Sequence, residues 1–542
     1  MLKNNEIYRA AVSGFTSEGL GVCRVDGCAV FVPNAAPGEE YDLRITHVGK
    51  NAAYGRIVNI ISRSPARVNR DCPYAKLCGG CDFWHLTYEA EQEIKAQRVL
   101  DALNRLGGQS LEHIELTGAK TCRGYRNKAQ FPVGPDKKNL TAGFFKKGSH
   151  EIVPVEGCLI QPDCAEAARS AVLDWARTYR VSPYDESAHS GLLRHIFVRH
   201  AAATGEVLVC LVINGETIPR RKELIETLRR RIPGLKSVAL NCNTRKGNAV
   251  LGDVTKILWG ADAIEDVLCG LRFRISPRSF YQVNRDQAEV LYHKAIAAAG
   301  LTGSETVLDL YCGTGTITLC LARRAKQVIG VEVVEAAIVD ARENARRNGI
   351  ENARFFCADA GEAAKKLAAE GTAPDVIVVD PPRKGVSQDV IDAIVTMAPR
   401  RVVYVSCDPA TLARDVKLLT GRGYQLHHAE AVDLFPRCAH VETVCLLSKL
   451  HSDHHIEVEL EMDELDLTAA ESKATYEEIK DYVLKQSGLK VSNLYIAQVK
   501  QKCGIIERAN YNLPKSENSR QPKCPPEKEA AIREALEHFQ MI

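Results

Sequence analysis

The sequence predicts an α/β protein with a doubly wound, Rossmann-like parallel sheet, preceded by a small β-barrel and a central α+β domain and followed by a small helical extension. Three observations support this prediction. Residues 300–450 alternate short apolar strands with helical stretches, residues 1–62 contain strand-like runs broken by glycines, and a helical, Pro-poor module runs up to Gly504. The 542 residues are enough for about three or four domains.

The predicted domain boundaries follow these changes in pattern. The barrel occupies residues 1–62, the central domain residues 63–270, the doubly wound domain residues 271–450, and an acidic linker with a helical module residues 451–542. A helix is expected over residues 84–106, because its apolar residues recur with helical spacing. The strands expected in the doubly wound domain are Thr306–Leu310, Gln327–Val331, Asp375–Val379 and Arg401–Val405.

The charges nearly balance, with 71 Lys and Arg against 68 Asp and Glu, which gives a net charge of +3. This excludes a histone-like polycation but leaves room for a local basic surface. The start of the chain lacks the apolar core of a signal peptide, and no apolar run approaches the ~18 residues that a transmembrane helix needs. We therefore expect a cytoplasmic monomer with no membrane contact, in which the 19 cysteines stay reduced.

A glycine-rich turn follows the first predicted strand of the doubly wound domain. Asp309 lies at the end of that strand, and Gly313 and Gly315 let the backbone of the turn approach a bulky ligand. Glu332 ends the next strand, where a carboxylate can bind ribose hydroxyls, and Asp359 follows the third strand, where it could meet adenine. The third glycine of NAD-binding turns is missing. The combination therefore resembles an S-adenosylmethionine (SAM)-dependent methyltransferase.

Two further strands end in reactive residues. Asp380 is followed by two prolines and Arg383, so that a carboxylate and backbone carbonyls face the ligand cleft. Amino-group methyltransferases commonly have an aromatic residue where Arg383 stands, which argues against an exocyclic amine as the target. Cys407 lies between a strand and a helix N-terminus, whose dipole favours the reactive thiolate. A buried structural cysteine is the alternative for Cys407.

Glu442 opens an otherwise apolar final strand, and a role as general base explains a carboxylate in that place. From the sequence alone, His440 is an equally good base. A thiolate, a base and a methyl donor together define methylation at carbon 5 of a pyrimidine. The thiolate adds at C6, the enolate-like C5 takes the methyl group, and the base removes the C5 proton before the thiolate is eliminated.

Three cysteines follow the spacing C-x5-C-x2-C beside two glycines, namely Cys72, Cys78 and Cys81. A fourth thiolate completes the ligand set of a [4Fe-4S] cluster, and Cys158 is the best candidate, ahead of Cys122 and Cys164. Zinc also accepts four thiolates, but the uneven, glycine-flanked spacing favours iron and sulfur. The sequence therefore predicts an iron–sulfur site in the central domain.

A basic stretch from Lys120 to Lys147 contains eight Lys or Arg and one acid. Four aromatic residues are interleaved with these charges, namely Tyr125, Phe131, Phe144 and Phe145. Cations for phosphates and rings for stacking are typical of proteins that bind single-stranded RNA. A solvated charged surface is the alternative interpretation.

The C-terminal module has two short helical stripes joined at Gly488, and the second stripe carries Lys500 and Lys502. This pattern is similar to a helix-turn-helix, which indicates a module that adds RNA affinity. A small helical packing domain is the alternative.

Taken together, these motifs resemble those of the bacterial iron–sulfur RNA uracil-C5 methyltransferases that act on 23S ribosomal RNA. The resemblance covers about residues 1–450. The motifs that carry it are the cysteine motif at 72–81 and the segments Tyr125–Lys128, Phe280–Asn284, Asp309–Gly315, Asp380–Gly385, Ser406–Pro409 and His440–Thr443.

The resemblance implies a role for individual residues. Residues 1–62 would form a TRAM domain, which is an RNA-binding barrel. The residues that would contact SAM are Gln282, Tyr311, Glu332 and Asp380. Cys407 would be the nucleophile and Glu442 the base that removes the proton. The ligands of a structural [4Fe-4S] cluster would be Cys72, Cys78, Cys81 and Cys158.

Two other functions are compatible with parts of the sequence. A transfer-RNA uracil-C5 methyltransferase shares the catalytic half, but the cysteine motif and the N-terminal barrel argue against it. A non-catalytic RNA-binding module is the second alternative, and the presence of both Cys407 and Glu442 argues against it.

Overall fold

The computed structural model describes residues 2–136, 139–450, 476–503, 524–539 and 541. The chain divides into two units, Met1–His451 and Ser452–Ile542. The first unit contains a barrel and two large sheets, and the described part of the second contains three helices. Within the described ranges, no helix combines the length and the apolar character needed to cross a membrane.

Five strands close into the barrel predicted for the start of the chain. They are β1 (Ile7–Phe15), β2 (Gly21–Val25), β3 (Cys28–Val32), β4 (Glu40–Val48) and β5 (Ala53–Ser62). Their order is β1-β2-β3-β5-β4, with β3 and β5 parallel. Asp26 and Gly27 form the β2–β3 turn with φ values of 49° and 77°, which suit a tight hairpin. Alternate residues of β4, Tyr41, Leu43 and Ile45, are fully buried, so the barrel has its own core.

The helix predicted over residues 84–106 is α1 (Tyr88–Arg105). It begins later than predicted because Thr87 is its N-cap, and the Thr87 hydroxyl accepts a hydrogen bond from the Ala90 amide at 3.3 Å. Ile94, Val99 and Leu103 lie on its buried face.

The central domain is built on a seven-stranded sheet. The elements that follow α1 are β6 (Glu115–Thr117), β7 (Lys128–Asp136), β8 (Asn139–Phe145), β9 (Ile152–Pro154), α2 (Asp163–Thr178), β10 (Leu193–His200), β11 (Val207–Ile213), α3 (Arg221–Arg231), β12 (Leu235–Cys242) and β13 (Val254–Gly260). The sheet order is β13-β12-β11-β10-β7-β8-β9, and α2 and α3 pack against it. Strand β6 does not belong to this sheet and is part of the second large sheet.

The second large sheet has the predicted doubly wound topology. Its elements, with a preceding hairpin, are β14 (Ile264–Leu268), β15 (Leu271–Ile275), α4 (Arg285–Ala299), β16 (Thr306–Asp309), α5 (Thr316–Ala322), β17 (Gln327–Glu332), α6 (Glu335–Arg347), β18 (Ala353–Cys357), α7 (Ala360–Ala369), β19 (Val376–Val379), α8 (Gln388–Met397), β20 (Arg401–Ser406), α9 (Pro409–Thr420), β21 (Tyr424–Val432) and β22 (Glu442–Lys449). The order is β18-β17-β16-β19-β20-β22-β21-β6. The adjacent residues Val307 and Leu308 of β16 point to opposite faces of the sheet, and each is fully buried in a different hydrophobic cluster. Both faces of the sheet are therefore covered. The strand order reverses beside β16, and ligands bind such sheets at that point.

The described residues of the second unit form α10 (Tyr476–Ser487), α11 (Asn493–Lys502) and α12 (Pro526–His538). Gly488 follows α10 with a φ of 69°, as the predicted break requires. The three helices share one buried cluster, so the two predicted helices are part of a three-helix unit. Lys502 pairs with Glu529 at 2.6 Å inside the unit. A role of this unit in RNA binding stays a prediction, and the acidic stretch at 456–466 lies outside the described residues.

Candidate active site

A cavity of about 980 Å³ opens at the carboxyl ends of the parallel strands. Its size is at the upper end of the range of about 300–1,000 Å³ that is common for small-molecule sites. All six residues predicted to bind SAM or to catalyse the reaction lie in its wall, namely Gln282, Tyr311, Glu332, Asp380, Cys407 and Glu442. The fold therefore brings together residues that are up to 160 positions apart in the sequence, because several strands end at the same edge of the sheet.

Glu332 ends β17 and faces the glycine turn. One of its carboxylate oxygens accepts a hydrogen bond from the Gly313 amide (3.2 Å), and the other accepts one from the Val334 amide (2.9 Å). These bonds fix the carboxylate in the cavity wall. Each oxygen has a second lone pair, so Glu332 can still accept hydrogen bonds from the hydroxyl groups of a ligand.

The other two acids near the turn have different roles. Asp309 lies behind the cavity wall and accepts a hydrogen bond from the Thr318 hydroxyl at 2.6 Å, and burial raises its pKa to about 6. Asp359 lines the cavity and also caps α7, since it accepts hydrogen bonds from the amides of Gly361 (2.9 Å) and Glu362 (3.3 Å). Asp309 therefore supports the turn, whereas Asp359 faces the ligand space.

Cys407 and Glu442 are brought together by strand pairing. Cys407 directly follows β20, and Glu442 is the first residue of β22. The two strands are antiparallel, with Ser406 opposite Thr443. This register puts the thiol and the carboxylate side by side in the cavity wall.

Burial and nearby acids hold protons on this pair. Burial raises the pKa of Glu442 to about 8, and the negative charge of Asp380 adds to the effect. Burial, Glu442 and Asp380 raise the pKa of Cys407 to about 11, against the opposing effect of Arg383. In the free protein, burial and the two acids therefore outweigh the groups that favour the Cys407 thiolate. The first amides of α9 donate to the carboxylate of Asp408 instead, at 2.9 and 3.0 Å.

His440, the other candidate base, has its ring nitrogen engaged. The exposed imidazole lies in the cavity wall, and its Nε2 is 3.2 Å from Nη2 of Arg383. Because a guanidinium group can only donate, the lone pair of Nε2 accepts this hydrogen bond. Glu442 is only 4% exposed and lies beside Cys407. The geometry therefore favours Glu442 as the base.

A second cavity, of about 230 Å³, lies in the central domain. Its wall contains the four predicted cluster cysteines, Cys72, Cys78, Cys81 and Cys158. Cys122 and Cys164 are not among the described residues of this wall. The structure therefore brings Cys158 to the same cavity as the cysteines of the C-x5-C-x2-C motif, although Cys158 lies far from that motif in the sequence.

The four thiols surround the cavity but do not converge on one point. Within the described ranges, no three of their sulfur atoms lie within 4.8 Å of one another. Sulfur ligands of a tetrahedral zinc ion are about 3.8 Å apart, since the Zn–S distance is about 2.3 Å. In the part of the chain that the structure describes, the sulfur atoms of the four thiols therefore do not have the spacing of the ligands of a single zinc ion. Both glycines of the motif lie close to other groups. The Gly80 amide donates a hydrogen bond to the sulfur of Cys78 at 3.4 Å. A side chain at Gly79 would meet the backbone of Lys147 at 3.0 Å.

Two residues of the active-site cavity were missed from the sequence. The Cys438 thiol donates to the backbone oxygen of Gly80 at 3.2 Å and hydrogen-bonds Cys81. Gly80 lines both cavities, so the active site and the cysteine site share a wall. Phe280 lines the active-site cavity and is 63% exposed, unusually high for a phenylalanine. The available signal for Phe280 was its place in the segment Phe280–Asn284, whereas no spacing rule connects Cys438 with Cys81.

Two aromatic residues of the basic stretch, Phe131 and Tyr125, make contacts within the protein. Phe131 is 1% exposed and packs against Phe144, with ring centroids 5.1 Å apart, in the core of the central sheet. The Tyr125 hydroxyl donates to the backbone oxygen of Pro436 at 2.9 Å. The prediction is therefore wrong for Phe131, because its side of β7 points into the core, and it stays a prediction for the half-buried Phe144 and Phe145.

Two family models match the chain. The TRAM domain model matches residues 2–58, which correspond to the closed barrel. The tRNA (Uracil-5-)-methyltransferase model matches residues 252–450, which contain seven of the eight strands of the doubly wound sheet and all six predicted site residues of the active-site cavity.

Two similar proteins match more than four fifths of the chain. An uncharacterized RNA methyltransferase of Halalkalibacterium halodurans is 44% identical over 82% of this chain and 98% of its own length. Another, of Caldanaerobacter subterraneus, is 45% identical over 83% of this chain and 99% of its own length. The crystal structure of the Pyrococcus abyssi tRNA (uracil-54, C5)-methyltransferase in complex with S-adenosyl-L-homocysteine matches 81% of this chain and 100% of that chain, with a TM-score of 0.67 and 26% identity. This chain therefore belongs to the family of SAM-dependent RNA (uracil-5-)-methyltransferases with an N-terminal TRAM domain.

Proposed function

We propose that this enzyme methylates carbon 5 of a specific uridine in 23S ribosomal RNA, with Cys407 as nucleophile and Glu442 as general base. The observation that carries the proposal is the adjacency of the thiol and a buried carboxylate in the wall of the cavity at the strand ends. This is the pair of groups that methylation at C5 of a pyrimidine requires.

Gln282, Tyr311, Glu332 and Asp380 are proposed to hold SAM, which supplies the methyl group and a positively charged sulfonium. The acids Asp380 and Glu442 raise the pKa of Cys407 in the free protein. A cation bound beside them has the opposite effect on that pKa. We therefore expect the Cys407 thiolate to form more readily once the methyl donor is bound. In the free enzyme Cys407 then stays mainly as the less reactive thiol.

The residues then act in sequence on the uracil ring. The sulfur of Cys407 forms a bond to C6, and the electron pair of the C5–C6 double bond moves towards the O4 carbonyl. The resulting enolate forms the new bond from C5 to the methyl carbon, and the donor sulfur keeps the electron pair of the bond that breaks. The carboxylate of Glu442 takes the C5 proton, the double bond re-forms, and Cys407 leaves as thiolate.

The pH dependence follows from the two raised pKa values. Glu442 (pKa about 8) and Cys407 (pKa about 11) must both lose a proton before they can act. We therefore expect kcat/KM for RNA to rise as the pH increases from about 6 to about 9, because it reports the ionisation of the free enzyme. The measurement is the initial rate at low RNA concentration, with SAM binding measured at each pH as the control. A rate that falls over this range would contradict the assignment.

We also propose that Cys72, Cys78, Cys81 and Cys158 hold a [4Fe-4S] cluster with a structural role. The supporting observations are the shared cavity of about 230 Å³ and the spread of the sulfur atoms around it. The loop that carries three of the cysteines also lines the active-site cavity through Gly79 and Gly80. A bound cluster would therefore fix one wall of the site that receives the RNA.

Replacing Cys158 with serine is expected to abolish the cluster, whereas Cys164→Ser leaves it intact. Both thiols are half-buried, but only Cys158 lies in the cavity wall. The measurement is the iron content of anaerobically purified protein, with an expected value of about four iron atoms per chain and a broad absorption near ~400 nm. Stoichiometric zinc in place of iron would contradict the proposal.

Ribosomal RNA is proposed as the substrate because the cysteine motif and the barrel occur together, as in the family that the sequence resembles. Transfer RNA is the second candidate, since a structure of similar fold is a tRNA (uracil-54, C5)-methyltransferase. The test is the mapping of 5-methyluridine in both RNA classes from cells with and without this protein. Loss from 23S ribosomal RNA supports the proposal, whereas loss from transfer RNA alone would contradict it.

A further inference from the structure

We propose that Cys269, Glu289 and His293 form a zinc site, with Cys320 as the fourth ligand. The site lies at the turn of the β14–β15 hairpin and is separate from both cavities described above. It goes beyond the proposed methyl transfer and does not depend on it.

The geometry of three ligands supports the site. One ligand atom each from Cys269, Glu289 and His293 lies within 4.8 Å of the other two, which within the described ranges is the one such group of three or more. Glu289 and His293 are four residues apart on α4 and therefore share one face of the helix. Cys269 belongs to the hairpin turn, with a φ of 52°, and its amide donates to Oε1 of Glu289 at 2.9 Å. The turn is thus held against the helix that supplies the other two ligands.

The fourth position is assigned to Cys320 of α5. This buried thiol forms a hydrogen bond with Cys269, so a small side-chain movement brings its sulfur to the same ion. Thiolates, an imidazole and a carboxylate are all ligand types that bind Zn²⁺, and four of them complete a tetrahedral site. The exposed His293 gives an ion access from solvent.

The charges around the site come from two arginines. Arg285 pairs with Oε2 of Glu289 at 2.9 Å, and Arg323 donates to the backbone oxygen of Cys269 at 2.9 Å. Arg323 thereby holds the backbone of the turn that carries Cys269, and Arg285 fixes the carboxylate of Glu289. Oε1 of Glu289 accepts a hydrogen bond and Oε2 forms the ion pair with Arg285, and each oxygen keeps a further lone pair for an ion.

A zinc ion here would fasten the hairpin to α4 and α5. Strand β15 ends at Ile275, and Ser276 and residues 278–282 line the active-site cavity. The proposed ion is therefore structural, and it stabilises the segment that precedes a proposed SAM contact.

The test counts zinc and iron in the full-length enzyme after anaerobic loading of iron, equilibration with Zn²⁺ and passage over a chelating resin. The key variant is His293→Ala, because its exposed side chain can be removed with little effect on folding. Cys269→Ser is the second variant, and Cys242→Ser is the control, since Cys242 is a half-buried free thiol of the central sheet. We expect the wild type and the control to keep one more zinc per chain than the other two variants, with the same iron content in all four.

Cobalt gives a second measurement. Co²⁺ in the wild type is expected to show a thiolate-to-metal absorption band that is lost in Cys269→Ser and kept in Cys242→Ser. Chelation of zinc is expected to lower the unfolding temperature of the wild type but not of His293→Ala. Equal zinc content in all four proteins, or a cobalt spectrum without a thiolate band, would overturn the proposal.

Discussion

Replacing Cys407 with alanine is expected to abolish methylation, with a loss on the order of 10⁴-fold or more, while SAM binding stays nearly unchanged. The reason is chemical: without a bond from sulfur to C6, C5 of uracil is too weak a nucleophile to take the methyl group. The half-buried position of Cys407 at the end of β20 makes the smaller side chain easy to accommodate. The measurements are the transfer of labelled methyl groups to RNA and SAM binding by calorimetry.

The matched control for this variant is Cys357→Ala. Cys357 carries an exposed thiol at the end of β18 in the same sheet. This variant is expected to keep full activity. Normal turnover by Cys407→Ala would contradict the assignment of the nucleophile, whatever the control shows.

Replacing Glu442 with glutamine is expected to trap the enzyme on its RNA. The amide has the same size but cannot accept the C5 proton, so elimination should slow by about 10²- to 10⁴-fold. The change also removes one of the groups that raise the pKa of Cys407, so addition to C6 is not slowed. The observation to seek is a covalent protein–RNA adduct on ordinary uridine RNA that survives denaturing electrophoresis.

The control for Glu442→Gln is His440→Gln, at the exposed residue whose imidazole pairs with Arg383. We expect this variant to release product without accumulating an adduct. If the adduct instead accumulates with His440→Gln and not with Glu442→Gln, the histidine is the base.

Much of the active site could be predicted from the sequence because its residues lie at strand ends. Parallel strands of one sheet end at the same edge, so Glu332 and Asp380 had to approach each other once the strands were predicted. The antiparallel return strand β22 then brought Glu442 to Cys407. The small barrel was predictable from a local pattern, because glycines mark the turns between its short strands.

Features that depend on long-range packing were not predictable. Strand β6 pairs with β21 from more than 300 residues away, and no local pattern indicates this contact. Cys438 meets Cys81 across a similar distance in sequence. The basic stretch gave a wrong prediction for Phe131, because composition does not show which side of a strand faces the core. The effect of Asp408 on the helix terminus beside Cys407 also required the side-chain geometry.

The central claim is that Cys407 forms a covalent bond to the uracil ring, and RNA containing 5-fluorouridine tests it most directly. Fluorine at C5 cannot leave as a proton does, so the wild-type enzyme with SAM should remain bound to the methylated ring. The measurement is peptide mass spectrometry of the protein–RNA adduct. The account predicts one adduct per chain, on the peptide that contains Cys407, and none with Cys407→Ala. The absence of an adduct with the wild type, or its attachment to another cysteine, would contradict the account.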